Sequence, residues 1–412
     1  MRLCPSFISN FICGKQIMSN RIRYAKRTLG EATKPTGVLA SIFVAIFALF
    51  GPSDRAVAIE TNAKQAVVIE FDTDVVIYDK NADSVIYPAS MTKMMTAYLL
   101  FERLKNGSLS LEDTFRVSEK AWRKGGSKMF VKVGDHVSIE DLIRGIVVQS
   151  GNDATIVVAE GIGGSEAAFA ELMTEKAQAI GMTDSIFRNA SGWPDPDHIT
   201  TARDLAILVK RTIQDFPEYY QYYSELSFIY NGIKQGNRNP LLYKNIDADG
   251  LKTGYTKASG YGLAASAKRN KRRLILVTSG FSSVKARAIG SEWLLDWGFR
   301  AWNNYSLFKA GEIVTDAPVW LGEANSVPII IKDELVVTIP RKSRSKLKVV
   351  VSYDEPIPAP IKSGAKIATL LVTAPGSVKS EIPLYAGVDV PQLGIVGRLG
   401  QAVRYLVWGK NF

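Results

Sequence analysis

Between about Ala310 and residue 390 the sequence has no helical period. It consists of short β-rich runs, Val327 to Ile331, Leu335 to Ile339 and Leu347 to Val351, punctuated by prolines at 328, 340, 356, 358 and 360. Proline donates no backbone N–H and interrupts ladders, so such a stretch folds as short strands joined by turns. Before that point β-rich runs mix with long helical periods. The spacing predicts an α+β unit over 59–310 and a smaller all-β unit over 311–390. With 412 residues, 46% hydrophobic and 22% charged, the chain has apolar surface enough for both. That composition excludes disordered, collagen-like and coiled-coil architectures.

The first 58 residues stand apart. They hold eight basic residues (Arg2, Lys15, Arg21, Arg23, Lys26, Arg27, Lys34, Arg55) against Glu31 and Asp54, which is +6 of the total +11. An apolar run of 13 residues, Val38 to Phe50, leads to Ala56-Val57-Ala58. A basic region, a short apolar core and an A-x-A site predict a secretory signal over 1–58 and an exported, periplasmic protein. A bilayer crossing needs about 20 residues, which disfavours the alternative of an uncleaved anchor. Met18 offers a second start.

Both cysteines, Cys4 and Cys13, fall in that segment, so the exported chain has no thiol nucleophile and no disulfide. His136 and His198 lack any zinc-type spacing. No metal and no cofactor are expected. Whatever chemistry the chain performs must come from hydroxyls, amines and carboxylates.

Within the α+β unit, two β-rich runs flank Asp72-Thr73-Asp74 as a hairpin. Met91, Met94, Met95, Tyr98 and Phe101 then recur at helical spacing, and Pro88 suits the first turn, so a buried helix starts close to Ser90. Helical patterns follow from Ile139, behind a cap at Ser138, to about Gly161, and from Ser165 to Ile180. Gly260 to Ala267 and Arg273 to Gly280 read as strands joined by the charged turn 268–272.

At the other end, Ile395, Val396, Leu399, Ala402, Val403, Leu406 and Val407 share one arc of a helical wheel, opposite Arg398, Gln401 and Arg404. A basic amphipathic helix over 391–412, with Trp408 and Phe412 near its tip, suits an anionic membrane surface. Packing of the stripe on the β unit is the alternative. The basic run Arg341 to Lys348 suits anionic polymer or lipid, and it lacks the aromatic interleaving of nucleic-acid binders.

Ser90-Met91-Thr92-Lys93 puts a hydroxyl and an amine on one helical face, where a neutral amine can take the hydroxyl proton. The same Ser-x-x-Lys spacing recurs at Ser282, Ser306, Ser343, Ser345 and Ser363, so context must select. Ser90 alone opens a buried helix behind a strand pair. Ser150-Gly151-Asn152 follows a helical stretch, and Lys252-Thr253-Gly254 leads into a β-rich run that could wall a cleft. His198 reads as a loop residue and Tyr219, Tyr220, Tyr222 and Tyr223 as packing.

Three such triplets in this order resemble the penicillin-binding proteins and class A β-lactamases. The closer resemblance is to the low-molecular-mass penicillin-binding proteins that are D-alanyl-D-alanine carboxypeptidases. It is carried by Tyr87-Pro-Ala-Ser-Met-Thr-Lys-Met-Met-Thr96, Arg144-Gly-Ile-Val-Val-Gln-Ser-Gly-Asn-Asp-Ala154 and Asp249-Gly-Leu-Lys-Thr-Gly-Tyr-Thr256, and it extends through Trp297-Gly298-Phe299 into the terminal helix.

The resemblance implies a central antiparallel sheet with helices on both faces, and removal of the terminal D-alanine from peptidoglycan pentapeptide stems. β-Lactams would bind covalently. Ser90 would be the acylated nucleophile, Lys93 its proton acceptor and Ser150 a proton relay. Asn152 would hold the substrate amide. Lys252, Thr253 and Gly254 would meet the terminal carboxylate with help from Arg287, and backbone N–H groups would hold the oxyanion.

A lysine at its reference pKa is neutral in about one molecule in 2,500 at pH 7. A second cation about 4 Å away, with Lys252 the candidate, would supply about 4 kcal/mol of the needed depression. Gly151 replaces the Asp of class A β-lactamases, and no deacylating Glu is recognisable, Glu160 lacking its pattern. A penicilloyl adduct should therefore persist. A β-lactamase-type hydrolase and a silent cell-wall-binding protein are the alternatives.

Overall fold

The computed structural model describes residues 59–408, with side chains as far as Val403; the expected signal segment, Phe412 and the side chains of Arg404, Leu406, Val407 and Trp408 lie outside what is described. The described chain forms two compact units, Ile59–Trp302 and the residues from Asn303 on. The expected boundary at 310 falls inside the second unit. Residues 303–308 belong to a strand paired within the β-rich part, so they join it rather than the α+β unit.

In the first unit the strands are β1 (Gln65–Glu70), β2 (Val76–Lys80), β3 (Thr114–Arg116), β4 (His136–Ser138), β5 (Ser227–Tyr230), β6 (Ile233–Gly236), β7 (Ala248–Thr256), β8 (Gly260–Arg269) and β9 (Arg272–Phe281). The helices are α1 (Lys93–Lys105), α2 (Glu119–Arg123), α3 (Ile139–Val147), α4 (Asn152–Gly163), α5 (Glu166–Ile180), α6 (Ala202–Asp215), α7 (Pro217–Tyr220) and α8 (Val284–Ala301). Five strands make an antiparallel sheet in the order β2-β1-β9-β8-β7.

Alternation along these strands feeds two cores. Val67, Ile69, Ile275 and Val277 pack with α1, α3, α4, α5 and α6, whereas Ala66, Val68, Leu274 and Leu276 pack with Leu294, Leu295 and Phe299 of α8. A period of two sends neighbours to opposite faces, and both faces are covered. From Lys93 to Phe101 every residue of helix α1 is buried, because the helix runs through the first core.

The predicted helix from Ile139 to about Gly161 is in fact two. Ser138 caps α3 by accepting the Asp141 N–H at 3.1 Å. The helix then stops at Val148, and Ser150 turns left-handed with φ 69°. Gly151 caps the start of α4. The apolar periodicity continues through this break, which is why the pattern conceals it.

The second unit has its own core. Its strands are β10 (Trp302–Phe308), β11 (Ile313–Trp320), β12 (Ser326–Ile330), β13 (Leu335–Pro340), β14 (Lys348–Ser352), β15 (Ile357–Pro358), β16 (Lys366–Thr373) and β17 (Ser380–Ala386). Six of them form a sheet in the order β14-β16-β17-β12-β11-β15, and β10 pairs with β13. Helix α9 (Ile395–Trp408) ends the described chain, and the Gln401 side-chain oxygen accepts the Leu321 N–H at 3.0 Å. Ile395, Val396, Leu399 and Val403 are 57–85% exposed, so this part of the stripe does not pack on the β unit. Among the described residues no helix is long and apolar enough to cross a membrane.

Candidate active site

Pro88 leads a 3-10 turn, Ala89–Thr92, that runs straight into α1. Ala89 sits at φ 50°, a left-handed value that is unfavourable for a residue with a Cβ. Two close approaches hold the turn in place. A Cβ on Gly254 of β7 would lie 2.8 Å from the Pro88 carbonyl oxygen, and one on Gly192 would lie 1.7 Å from that of Ala89. Only glycine lets the edge of β7 and the 190–192 loop come so near the turn.

On this turn Ser90 Oγ and Lys93 Nζ lie 3.0 Å apart. The amine is fully buried and donates to the Ser191 carbonyl at 2.6 Å. Burial lowers its pKa to about 7, with Arg238 and Lys124 lowering it in addition and Asp153 opposing them. Lys252, expected from the sequence to supply most of this shift, is not among its causes; desolvation is the main one. Lys93 instead acts on Lys252, which is pushed well below its ordinary value by burial first, then by Lys93, Arg238 and Arg287.

Ser90 and Asn152 line a cleft of about 690 Å³ together with Ser191, Trp193, His198 and Tyr255. Asn152 opens α4; its Nδ2 donates to the Gly125 carbonyl at 2.8 Å and its backbone N–H to that of Ser127 at 2.7 Å. Ser150, Lys252 and Thr253 are buried and are not among the residues lining the cleft. Lys252, Thr253 and Gly254 lie on β7, the edge strand that abuts the Ser90 turn.

Arg287 lies in the first turn of α8, outside the lining. Its guanidinium sits 5.8 Å from the centre of the Tyr261 ring, and its buried Nε has no hydrogen-bond partner. Tyr261 stacks on Tyr255 of the cleft wall at 4.2 Å.

Several residues were not legible as site residues. His198 lies in a loop, as expected, but is buried there, and its Nε2 lies 2.9 Å from Thr92 Oγ1. Asp153 accepts the N–H groups of Met129 and Phe130 at 2.8 and 2.9 Å and so shapes the loop in front of α4. Arg238 donates to Ser127 Oγ at 2.6 Å. An acid in the first turn of a helix was the only available signal for Asp153; the other two had none. Among the described residues no cluster of three or more His, Cys, Asp or Glu could hold a metal ion.

Residues 53–283 match the D-alanyl-D-alanine carboxypeptidase family, and residues 302–392 match the penicillin-binding protein 5 C-terminal domain. The chain belongs to the D-alanyl-D-alanine carboxypeptidase family. This carboxypeptidase is 37% identical over 346 residues to the D-alanyl-D-alanine carboxypeptidase DacA of Haemophilus influenzae, covering 82% of this chain and 88% of the relative. It superposes on penicillin binding protein 5 from Haemophilus influenzae with a TM-score of 0.73 at 36% identity, over 81% of this chain and 99% of that one. It also matches penicillin-binding protein D2 from Listeria monocytogenes, solved in an ampicillin-bound form, with a TM-score of 0.54 at 28% identity, over 58% of this chain and 98% of that one. The carboxypeptidase thus has the fold expected from its motifs: a central antiparallel sheet between helical layers and a separate all-β domain.

Proposed function

We infer that the protein is a serine D-alanyl-D-alanine carboxypeptidase that shortens peptidoglycan pentapeptide stems through an acyl-enzyme on Ser90. The observation that carries this reading is the pairing of Ser90 Oγ with a buried amine whose pKa is lowered to about 7. At that value about half of the Lys93 side chains are neutral at pH 7. A neutral amine has two N–H groups and one lone pair. One N–H is engaged by the Ser191 carbonyl, which leaves the lone pair free to accept the Ser90 proton.

Ser90 Oγ then attacks the carbonyl carbon of the penultimate D-alanine as its proton passes to Lys93. The tetrahedral oxyanion is held by backbone N–H groups, that of Ser90 included. The C–N bond breaks, the leaving amine takes a proton relayed through Ser150, and D-alanine departs. Water then attacks the ester, and Oγ recovers its proton. Asn152 holds the substrate amide, while Lys252, Thr253 and Gly254 on the β7 edge meet the terminal carboxylate. Arg287, behind the Tyr255–Tyr261 stack, adds positive potential rather than direct contact.

A β-lactam presents an acyl carbon to the same serine, so penicillin should acylate Ser90 and stay attached. Intact-mass analysis after incubation with penicillin, with peptide mapping, tests this. A single stable adduct on the peptide containing Ser90 is expected. Also expected is D-alanine release from a soluble pentapeptide by the native chain and none by Ser90→Ala. Rapid turnover of penicillin would overturn the reading in favour of a β-lactamase-type hydrolase.

Export to the periplasm fits the amino-terminal pattern. The exposed apolar stripe of α9, with its basic opposite face, supports peripheral attachment to the anionic surface of the inner membrane.

A further inference from the structure

Residues 335–353 contain no acid, yet they hold Arg341, Lys342, Arg344, Lys346 and Lys348. All five side chains are exposed. They are displayed by a 3-10 turn, Arg341–Lys346, between β13 and β14. The turn is anchored: Ser343 is buried and its Oγ donates to the Pro375 carbonyl at 2.7 Å. Arg344 lies over the Tyr305 ring at 4.6 Å. The loop it leans on carries Lys379, which pairs with Glu381 at 2.8 Å. Like charges concentrated on a fixed turn repel one another, and an anionic partner relieves that repulsion.

The strand registers locate this basic patch. Lys348 pairs opposite Thr373, and Val372 opposite Ser380, at the end of the sheet where β16 turns into β17. Ala386, at the other end of β17, pairs opposite Ile329, and beyond it Pro318 pairs opposite Ser326. Helix α9 is tied at Leu321, just past β11. The patch and the helix therefore occupy diagonally opposite corners of one sheet, on the order of 40 Å apart along the strands.

We propose that the Arg341–Lys348 patch is a second, non-catalytic binding surface for the carboxylates of peptidoglycan. The wall polymer is the substrate class of the catalytic unit, it bears a carboxylate-rich array, and it lies on the side away from the membrane. The patch holds the enzyme on the polymer while the cleft works on stem ends. This rests on the peptidoglycan reading of the family but not on the roles of Ser90 or Lys93.

The test uses the full chain, insoluble purified peptidoglycan and the triple variant Lys342→Gln/Lys346→Gln/Lys348→Gln, whose side chains are all exposed. At low salt the native chain and Ser90→Ala should co-sediment with peptidoglycan alike. The triple variant should sediment at least about fivefold less, and D-alanine release from a soluble pentapeptide should stay unchanged. Amidation of the polymer's carboxylates should abolish the difference, as should high salt. Equal sedimentation of native and triple variant would overturn the proposal. So would a difference seen on anionic vesicles but not on peptidoglycan, or one that survives amidation, which would indicate a lipid or an acidic protein as the partner. If soluble-peptide release fails while lysine-dependent sedimentation holds, only the catalytic reading is lost.

Discussion

His198 Nε2 lies 2.9 Å from Thr92 Oγ1, between the nucleophile and its amine in sequence, while His198 Nδ1 accepts the Arg188 N–H at 3.2 Å. With Nδ1 as acceptor, Nε2 carries the proton and donates it to Thr92. A loop 106 residues downstream thus pins the catalytic turn. Burial lowers the imidazole pKa to about 4. The unfolded chain takes up this proton near its ordinary value of about 6.5, so the stability is fully present above that pH. It is lost as pH falls toward 4, by about 3 kcal/mol. Thermal unfolding followed from pH 7.5 to 4 should show this decline, and His198→Gln should flatten it. An unchanged slope in the variant would assign the titration elsewhere.

The Lys93 amine, lowered to about 7 mainly by burial, sets the pH dependence of acylation. The reactive form is neutral, so the second-order rate with penicillin should rise with pH and reach half its maximum near pH 7. Lys93→Met removes the base and should slow acylation by roughly 10²–10⁴-fold while the fold persists. Stopped-flow acylation across pH 5.5 to 9 measures both. A flat profile would remove Lys93 as the initial base.

Gly254→Ala introduces a Cβ 2.8 Å from the Pro88 carbonyl oxygen and 3.2 Å from Met91 Cγ. The β7 edge must then retreat from the Ser90 turn. Acylation should fall by about 10–100-fold, because misplacement of reacting groups by an ångström is enough for that. Circular dichroism should report an intact fold.

Asp153 is buried, and its carboxylate accepts the N–H groups of Met129 and Phe130. Asp153→Ala leaves those donors unpaired and should destabilise the protein by about 3 kcal/mol. Asp153→Asn keeps one acceptor and should lose less. Urea denaturation midpoints would rank the two.

Deleting 395–412 removes the exposed stripe of α9. Binding to vesicles containing anionic phospholipid should disappear, with D-alanine release from a soluble pentapeptide unchanged. Co-sedimentation with vesicles of graded anionic content checks it.

Much of this was written in local sequence. The β-rich runs of β1, β8 and β9, the buried character of α1 and the three triplets each depend on near neighbours; the strands, the nucleophile helix, and Ser90 and Asn152 of the cleft lining were legible there, while Ser150, Lys252 and Thr253 lie outside that lining. What stayed hidden depends on contacts between distant segments. Lys93 owes its lowered pKa to its buried position more than to any one partner, and His198 and Gly192 act through a loop just over a hundred residues from the turn they hold. The kink at Ser150 was concealed because apolar spacing runs unbroken through it. The domain boundary moved because pairing of β10 with β13, invisible to periodicity, decides where that strand belongs.

The sheet of the catalytic unit is packed on both faces, so the interior strands β1, β8 and β9 commit nearly every side chain to a core. Ligand chemistry is confined to the border strand and to helix ends. Changes in what the enzyme recognises can accumulate along that border while the interior is held constant by packing, which lets specificity diverge among relatives without remaking the scaffold.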